Sequence, residues 1–135
     1  MKNGVFATHL ELIDVLESRS LPIFCDQGRK LFIQGEACSG LYILESGEAA
    51  LLLNAPSGRV VFCLSAGPGS LLGLPAVVGN EPYSMTAMVK KGSKVRFVTR
   101  YDFERVIEAD PQLYQGILQL LAAEVRSARL ALTET

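Results

Sequence analysis

The chain has no tryptophan, a single histidine and only three cysteines among its 135 residues. One histidine, His9, and scattered cysteines argue against a zinc, haem or iron–sulfur site. They also leave almost no material for a Ser–His or Cys–His catalytic pair. We therefore expect no metal, no cofactor of these kinds and no catalytic residues, with His9 on a helix surface. Because Cys25, Cys38 and Cys63 include no C-x-x-C pair, we expect buried thiols in a reducing compartment.

Long apolar runs and an excess of one charge are also lacking. No stretch reaches the roughly 18–20 apolar residues of a membrane span, and the N-terminus has no signal-peptide pattern, so we expect a cytoplasmic protein without membrane contact. Thirteen basic and 14 acidic residues give a net charge of −1, which gives no support for non-specific nucleic-acid binding. With 49% hydrophobic and 20% charged residues, the chain has the composition of one folded domain.

Glycine is concentrated in one informative segment, residues 67–87, which we call the glycine cassette (GPGSLLGLPAVVGNEPYSMTA). Gly67, Gly69 and Gly73 allow tight turns and a close approach of the backbone to a ligand. A short helical turn is predicted over residues 74–78, and its first N–H groups would be free to face an anion. With the hydroxyls of Ser84 and Thr86 just downstream, the cassette is typical of an anion-binding site.

Turn residues recur every 7–12 positions through residues 22–99, a rhythm that predicts an antiparallel sandwich or barrel. A hairpin loop is expected at residues 54–58 between two apolar runs. In the run 94–99, Val95, Phe97 and Thr99 alternate with Lys94, Arg96 and Val98, which predicts a strand with one solvated side.

Helices are predicted on both flanks of this β region. Thr8 and Glu11 form a capping-box pattern for a helix over residues 8–18. Thr99 and Asp102 predict a cap for a helix ending near Ala109, and Asp110–Pro111 predicts the start of a long helix towards Thr133.

The long helix carries apolar residues at 4, 3, 4, 3, 4 spacing, the pattern of a heptad seam. The seam consists of Tyr114, Leu118, Leu121, Val125, Ala128 and Leu132. A helix packed on its own sheet is the alternative, but twenty-odd residues outrun the small barrel. We therefore divide the chain into residues 1–110, a β-roll effector-binding domain with flanking short helices, and residues 111–135, a dimerisation helix that pairs a homodimer through residues 111–133.

The order of these elements resembles the cyclic-nucleotide-binding fold of the Crp–Fnr superfamily of bacterial transcription regulators. Gly35–Glu36 is similar to the family's "k-G-e" turn, and residues 41–44 with Gly47 to "l-y-i-i-x-x-G". Residues 67–73 are similar to "x-p-G-d-x-x-G", and residues 84–87 to the "S-A-x-A" end of the family's cassette. The resemblance implies a mainly β protein with flanking helices, an antiparallel β-roll or jelly roll followed by a long C-terminal helix.

Two departures bear on the ligand. The family's glutamate for the ribose hydroxyl corresponds to Leu74, and its arginine for the cyclic phosphate corresponds to Tyr83. The resemblance places the family's purine contact from the long helix near Ser127. It thus implies a ligand-binding set of Gly73, Leu74, Pro75, Tyr83, Ser84, Thr86 and Ser127.

The resemblance implies a sensor domain of a transcriptional regulator, not an enzyme. Replacement of the family's ribose-binding glutamate and phosphate-binding arginine indicates that the small-molecule effector is non-standard or absent. The alternative is a functional cyclic AMP- or cyclic GMP-binding domain with a divergent cassette. A cupin-like enzyme is a third hypothesis, although cupins need several histidines for a metal. The family's helix-turn-helix would follow the long helix, so we expect no specific DNA binding by residues 1–135 alone.

Overall fold

The computed structural model describes residues 11–133, which form two antiparallel four-stranded sheets flanked by helices. Residues 11–17 are helical (α1); the predicted capping residue Thr8, like His9, lies outside the described residues. The strands are β1 (Leu21–Ile23), β2 (Arg29–Phe32), β3 (Gly40–Ser46), β4 (Ala49–Asn54), β5 (Val60–Ala66), β6 (Leu71–Leu72), β7 (Thr86–Val89) and β8 (Lys94–Thr99). The helices are α2 (Leu74–Gly79), α3 (Arg100–Ala109), a 3₁₀ turn (Pro111–Leu113) and α4 (Tyr114–Thr133).

One sheet has the strand order β1-β8-β3-β6 and the other β2-β7-β4-β5. The hairpin between β4 and β5 turns at the predicted loop, where the Ala55 N–H donates to the Arg59 carbonyl. This architecture confirms the predicted antiparallel β-roll followed by a long helix. Among the described helices, none is long and apolar enough to cross a membrane.

The core has two parts because β3 and β8 bury side chains on both faces. Leu44 and Val95 pack between the sheets, whereas Leu41 and Val98 pack against α1, α3 and the start of α4. The prediction of a solvated side on β8 is therefore wrong at Val98, which is fully buried under α1 and α3.

The helix starts follow the predicted caps. The Thr99 hydroxyl accepts a hydrogen bond from the Asp102 N–H at 3.0 Å, and α3 runs to Ala109 as expected. Asp110 accepts from the Gln112 N–H, but the first turn after it is a 3₁₀ turn. The expectation of buried thiols holds for Cys25 and is wrong for Cys63, which is exposed on the edge strand β5.

Candidate functional site

A cavity of about 250 Å³ lies between β5, the glycine cassette and α4. We call it the cassette cavity. Leu51 and Leu64 line it from the second sheet, the cassette contributes residues from Gly67 to Leu74, and α4 contributes one face. The α4 residues that line it are Leu120, Ala123, Glu124 and Ser127. The chain segments predicted to hold an effector are therefore neighbours in space.

Gly73 is the turn between β6 and α2 and has a φ of 89°. A Cβ at this position would lie 3.0 Å from the Tyr83 ring, so the glycine also permits close packing beneath the cassette. α2 begins directly after it, as predicted, with Leu74 fully buried. Gly73 and Leu74 thus form part of the cavity wall, with the Leu74 side chain packed in the core behind it.

Tyr83 packs into the protein interior. Its ring stacks on Phe32 with centroids 3.9 Å apart, and its hydroxyl donates to the Gly40 carbonyl at 2.6 Å. Backbone hydrogen bonds connect Tyr83 to both residues of the Gly35–Glu36 turn. Burial raises the pKa of the phenol, which keeps it neutral. Its proton is therefore engaged within the protein.

The remaining predicted residues divide between different surfaces. Pro75, Tyr83 and Ser84 line a small cavity of about 30 Å³, which shares Gly73 and Glu124 with the cassette cavity. Ser127 lines the cassette cavity itself. Thr86 lies elsewhere: it borders a groove with Gln34, and its hydroxyl accepts from the Gln34 N–H at 3.0 Å. The structure does not bring Thr86 to the cassette cavity.

Glu124 was missed by the sequence reasoning and is the one ionisable side chain that the described structure places on the cassette cavity. Burial raises the pKa of its carboxyl to about 7, and no charged neighbour contributes to the shift. Within residues 11–133 it has no ion pair and no hydrogen bond. The cassette cavity is therefore bordered by a carboxyl group that has no cationic partner among residues 11–133.

Tyr83→Phe is expected to lower the free energy of unfolding by about 1–2 kcal/mol, because the buried Gly40 carbonyl loses its hydroxyl donor. Urea unfolding of the variant and of Tyr101→Phe, which changes an exposed tyrosine, measures the difference. Equal stability of Tyr83→Phe and the parent would contradict the structural role of this hydroxyl.

Comparison with known proteins gives a consistent result. The family model described as cyclic nucleotide-binding domain matches residues 23–110. A curated relative, the cyclic AMP receptor protein of Thermus thermophilus, is 27% identical over 106 residues, which are 78% of this chain and 49% of the relative. The chain spans about half the length of the curated relatives it matches.

Solved structures show the same fold. The catabolite activator protein of Thermus thermophilus superposes with a TM-score of 0.77 at 26% identity, covering 92% of this chain and 58% of that one. The sensor domain of the transcriptional regulator DNR from Pseudomonas aeruginosa superposes with a TM-score of 0.70 at 19% identity, covering 90% and 83%. This chain belongs to the cyclic nucleotide-binding domain family.

Proposed function

We propose that this chain is the effector-sensing part of a transcription regulator whose effector is not a standard cyclic nucleotide, or which works without one. The observation that carries the proposal is the cassette cavity, which lies next to α4 and which, among residues 11–133, is lined by Glu124 and by no lysine, arginine or histidine. The proposal describes a cytoplasmic binding protein without a resident cofactor or metal, not an enzyme. DNA reading belongs, in this proposal, to a helix-turn-helix outside the β-roll and α4.

The charges of the cavity disfavour a cyclic phosphate. A phosphate held about 4 Å from a charged Glu124 would be repelled by about 4 kcal/mol at an effective dielectric constant near 20. Because the pKa of Glu124 is about 7, a proton taken up by its carboxyl relieves this repulsion at a cost of about 1.4 kcal/mol at pH 8, so the repulsion weakens phosphate binding there by about tenfold. The Tyr83 hydroxyl offers no compensation because it already donates to Gly40.

Signal transfer would use the contact between the cassette and α4. Both contribute to the wall of one cavity, so a ligand there can favour one placement of α4 over another. In a dimer through α4, such a shift would alter how the two subunits align, and the effector would act through its differential affinity for the two arrangements.

Cyclic nucleotide binding is the alternative, favoured by the similarity to the cyclic AMP receptor protein of Thermus thermophilus. A thermal melt with millimolar cyclic AMP or cyclic GMP separates the two. We expect no shift of the midpoint. A ligand at 100 times its dissociation constant would stabilise by about 2.7 kcal/mol and raise the midpoint by several degrees, which would contradict the proposal.

The dimer part of the proposal depends on the heptad seam. Tyr114, Leu118 and Val125 are 51%, 63% and 52% exposed in the single chain, so one face of α4 presents apolar side chains to solvent. Burying such a face against a second copy is the usual outcome for a heptad pattern.

Leu118→Lys combined with Val125→Lys is expected to raise the dissociation constant of the dimer at least tenfold, because two lysines would enter the apolar seam. Sedimentation equilibrium measures the constant, and circular dichroism verifies the fold. The control is Leu21→Lys, at an exposed leucine outside the seam. A parent chain that remains monomeric at about 100 micromolar would contradict dimerisation through α4.

A further inference from the structure

The cassette cavity combines an apolar wall with a single carboxylate. The half-buried leucines Leu51, Leu64 and Leu120 are among the residues that line it. Among the described residues no lysine, arginine or histidine lines the cavity. Its volume of about 250 Å³ is slightly below the roughly 300–1,000 Å³ of typical ligand pockets, so its occupant is small.

Glu124 lies at the junction of two cavities, because it borders both the cassette cavity and the smaller one next to Tyr83. Its carboxylate has no cationic partner within the described chain. Buried charges in proteins are normally paired, since an unpaired charge loses its hydration without compensation. A carboxyl that borders an open cavity and lacks a partner can be neutralised by a proton or by a cation that a ligand supplies.

We propose that the cassette cavity binds a small, mainly apolar molecule that carries one protonated nitrogen, with its N–H groups donating to the Glu124 carboxylate. The hydrocarbon part of the ligand packs against the leucines, and the Ser127 hydroxyl, one helical turn beyond Glu124, accepts a further N–H. This inference rests on the proposed sensor function and names the chemical class of its effector. The proposed effector is a cation, whereas a cyclic nucleotide is an anion.

The test uses three probes of one shape and different charge: phenethylamine, 2-phenylethanol and phenylacetate. Calorimetric titration of the full chain at pH 8 is expected to show the amine binding at least tenfold more tightly than the alcohol, and no binding of the carboxylate. Glu124→Gln is expected to abolish the preference for the amine. Glu81→Gln, which changes an exposed carboxylate outside the cavity, is the matched control and should keep it.

The pH profile adds a second readout. The preference for the amine is expected to fall up to about tenfold from pH 8 to pH 6, because Glu124, with a pKa of about 7, gains a proton in this range. Within residues 11–133, Tyr83 is the other titratable side chain on the two cavities, and burial raises its pKa and keeps it neutral.

Two results would overturn the inference. The first is an amine that does not bind the parent chain; the second is an amine preference that survives in Glu124→Gln. Neither result touches the proposed function, whose claim that the effector is not a standard cyclic nucleotide fails separately if cyclic AMP binds in the same assay. Tight cyclic AMP binding would overturn both.

Discussion

Gly40→Ala is expected to lower the free energy of unfolding by roughly 3 kcal/mol, the upper end of the usual cost of overpacking a core. Gly40 is the buried first residue of β3, paired with Thr99 of β8. A Cβ there would overlap the Val98 carbonyl oxygen and lie 2.9 Å from the Phe97 ring. Because the carbonyl belongs to the neighbouring strand, the methyl group fits only if β3 and β8 separate.

The substitution is also expected to disturb the glycine cassette. Gly40 exchanges hydrogen bonds with the Tyr83 hydroxyl, so a displaced β3 would loosen the packing beneath the cassette. Urea unfolding measures the stability, with Gly67→Ala as control because a Cβ at Gly67 meets open space. A Gly40→Ala variant as stable as Gly67→Ala would show that β3 and β8 can accommodate the methyl group.

The features that the sequence predicts well are those decided by local chemistry. Thr99 caps α3 because its hydroxyl reaches an N–H three residues along, a distance that depends only on the chain itself. The turn at Gly73 and the short helix after it also follow from local backbone preferences.

Features decided by tertiary packing were missed. The alternation in β8 shows two faces but not that α1 and α3 cover the end of the second one, where Val98 is buried. Tyr83 was placed among the ligand residues by its position in the cassette, whereas its ring is accommodated next to Phe32 in the core. Whether it contacts an effector stays a prediction.

Glu124 was also missed because its place in the cavity depends on tertiary packing, although the sequence of α4 contains a periodic pattern that includes it. Leu113, Ile117, Leu120, Glu124 and Ser127 repeat at 4, 3, 4, 3 spacing, a second stripe beside the heptad seam. The first two members are buried against the core and the last three line the cassette cavity. A glutamate on a helix is ordinarily solvated, so only the placement of α4 against β5 identifies this one as a cavity residue.

Glu124→Gln is expected to remove a pH dependence of stability. The carboxyl has a pKa of about 7 in the folded chain and near its ordinary 4.5 when unfolded. Between these values the folded state holds a proton that the unfolded state has lost, so the free energy of unfolding falls as the pH rises through this window. The loss is at most about 3 kcal/mol, because the carboxylate retains some contact with solvent.

Glutamine is neutral throughout, so Glu124→Gln should match the parent near pH 5 and exceed its stability at pH 8 by up to about 3 kcal/mol. Urea unfolding at several pH values between these limits measures both proteins. The pKa of Glu17 is also raised, chiefly by its hydrogen bond with Glu45, but that contribution is common to both and cancels in the difference. Parallel pH profiles would mean that Glu124 is ionised in the folded chain without cost. A cationic ligand that fills the cavity would stabilise the parent but not Glu124→Gln, so the parent would become the more stable protein at pH 8. That reversal would show that the Glu124 carboxylate lowers the stability of the empty chain and contributes to ligand affinity.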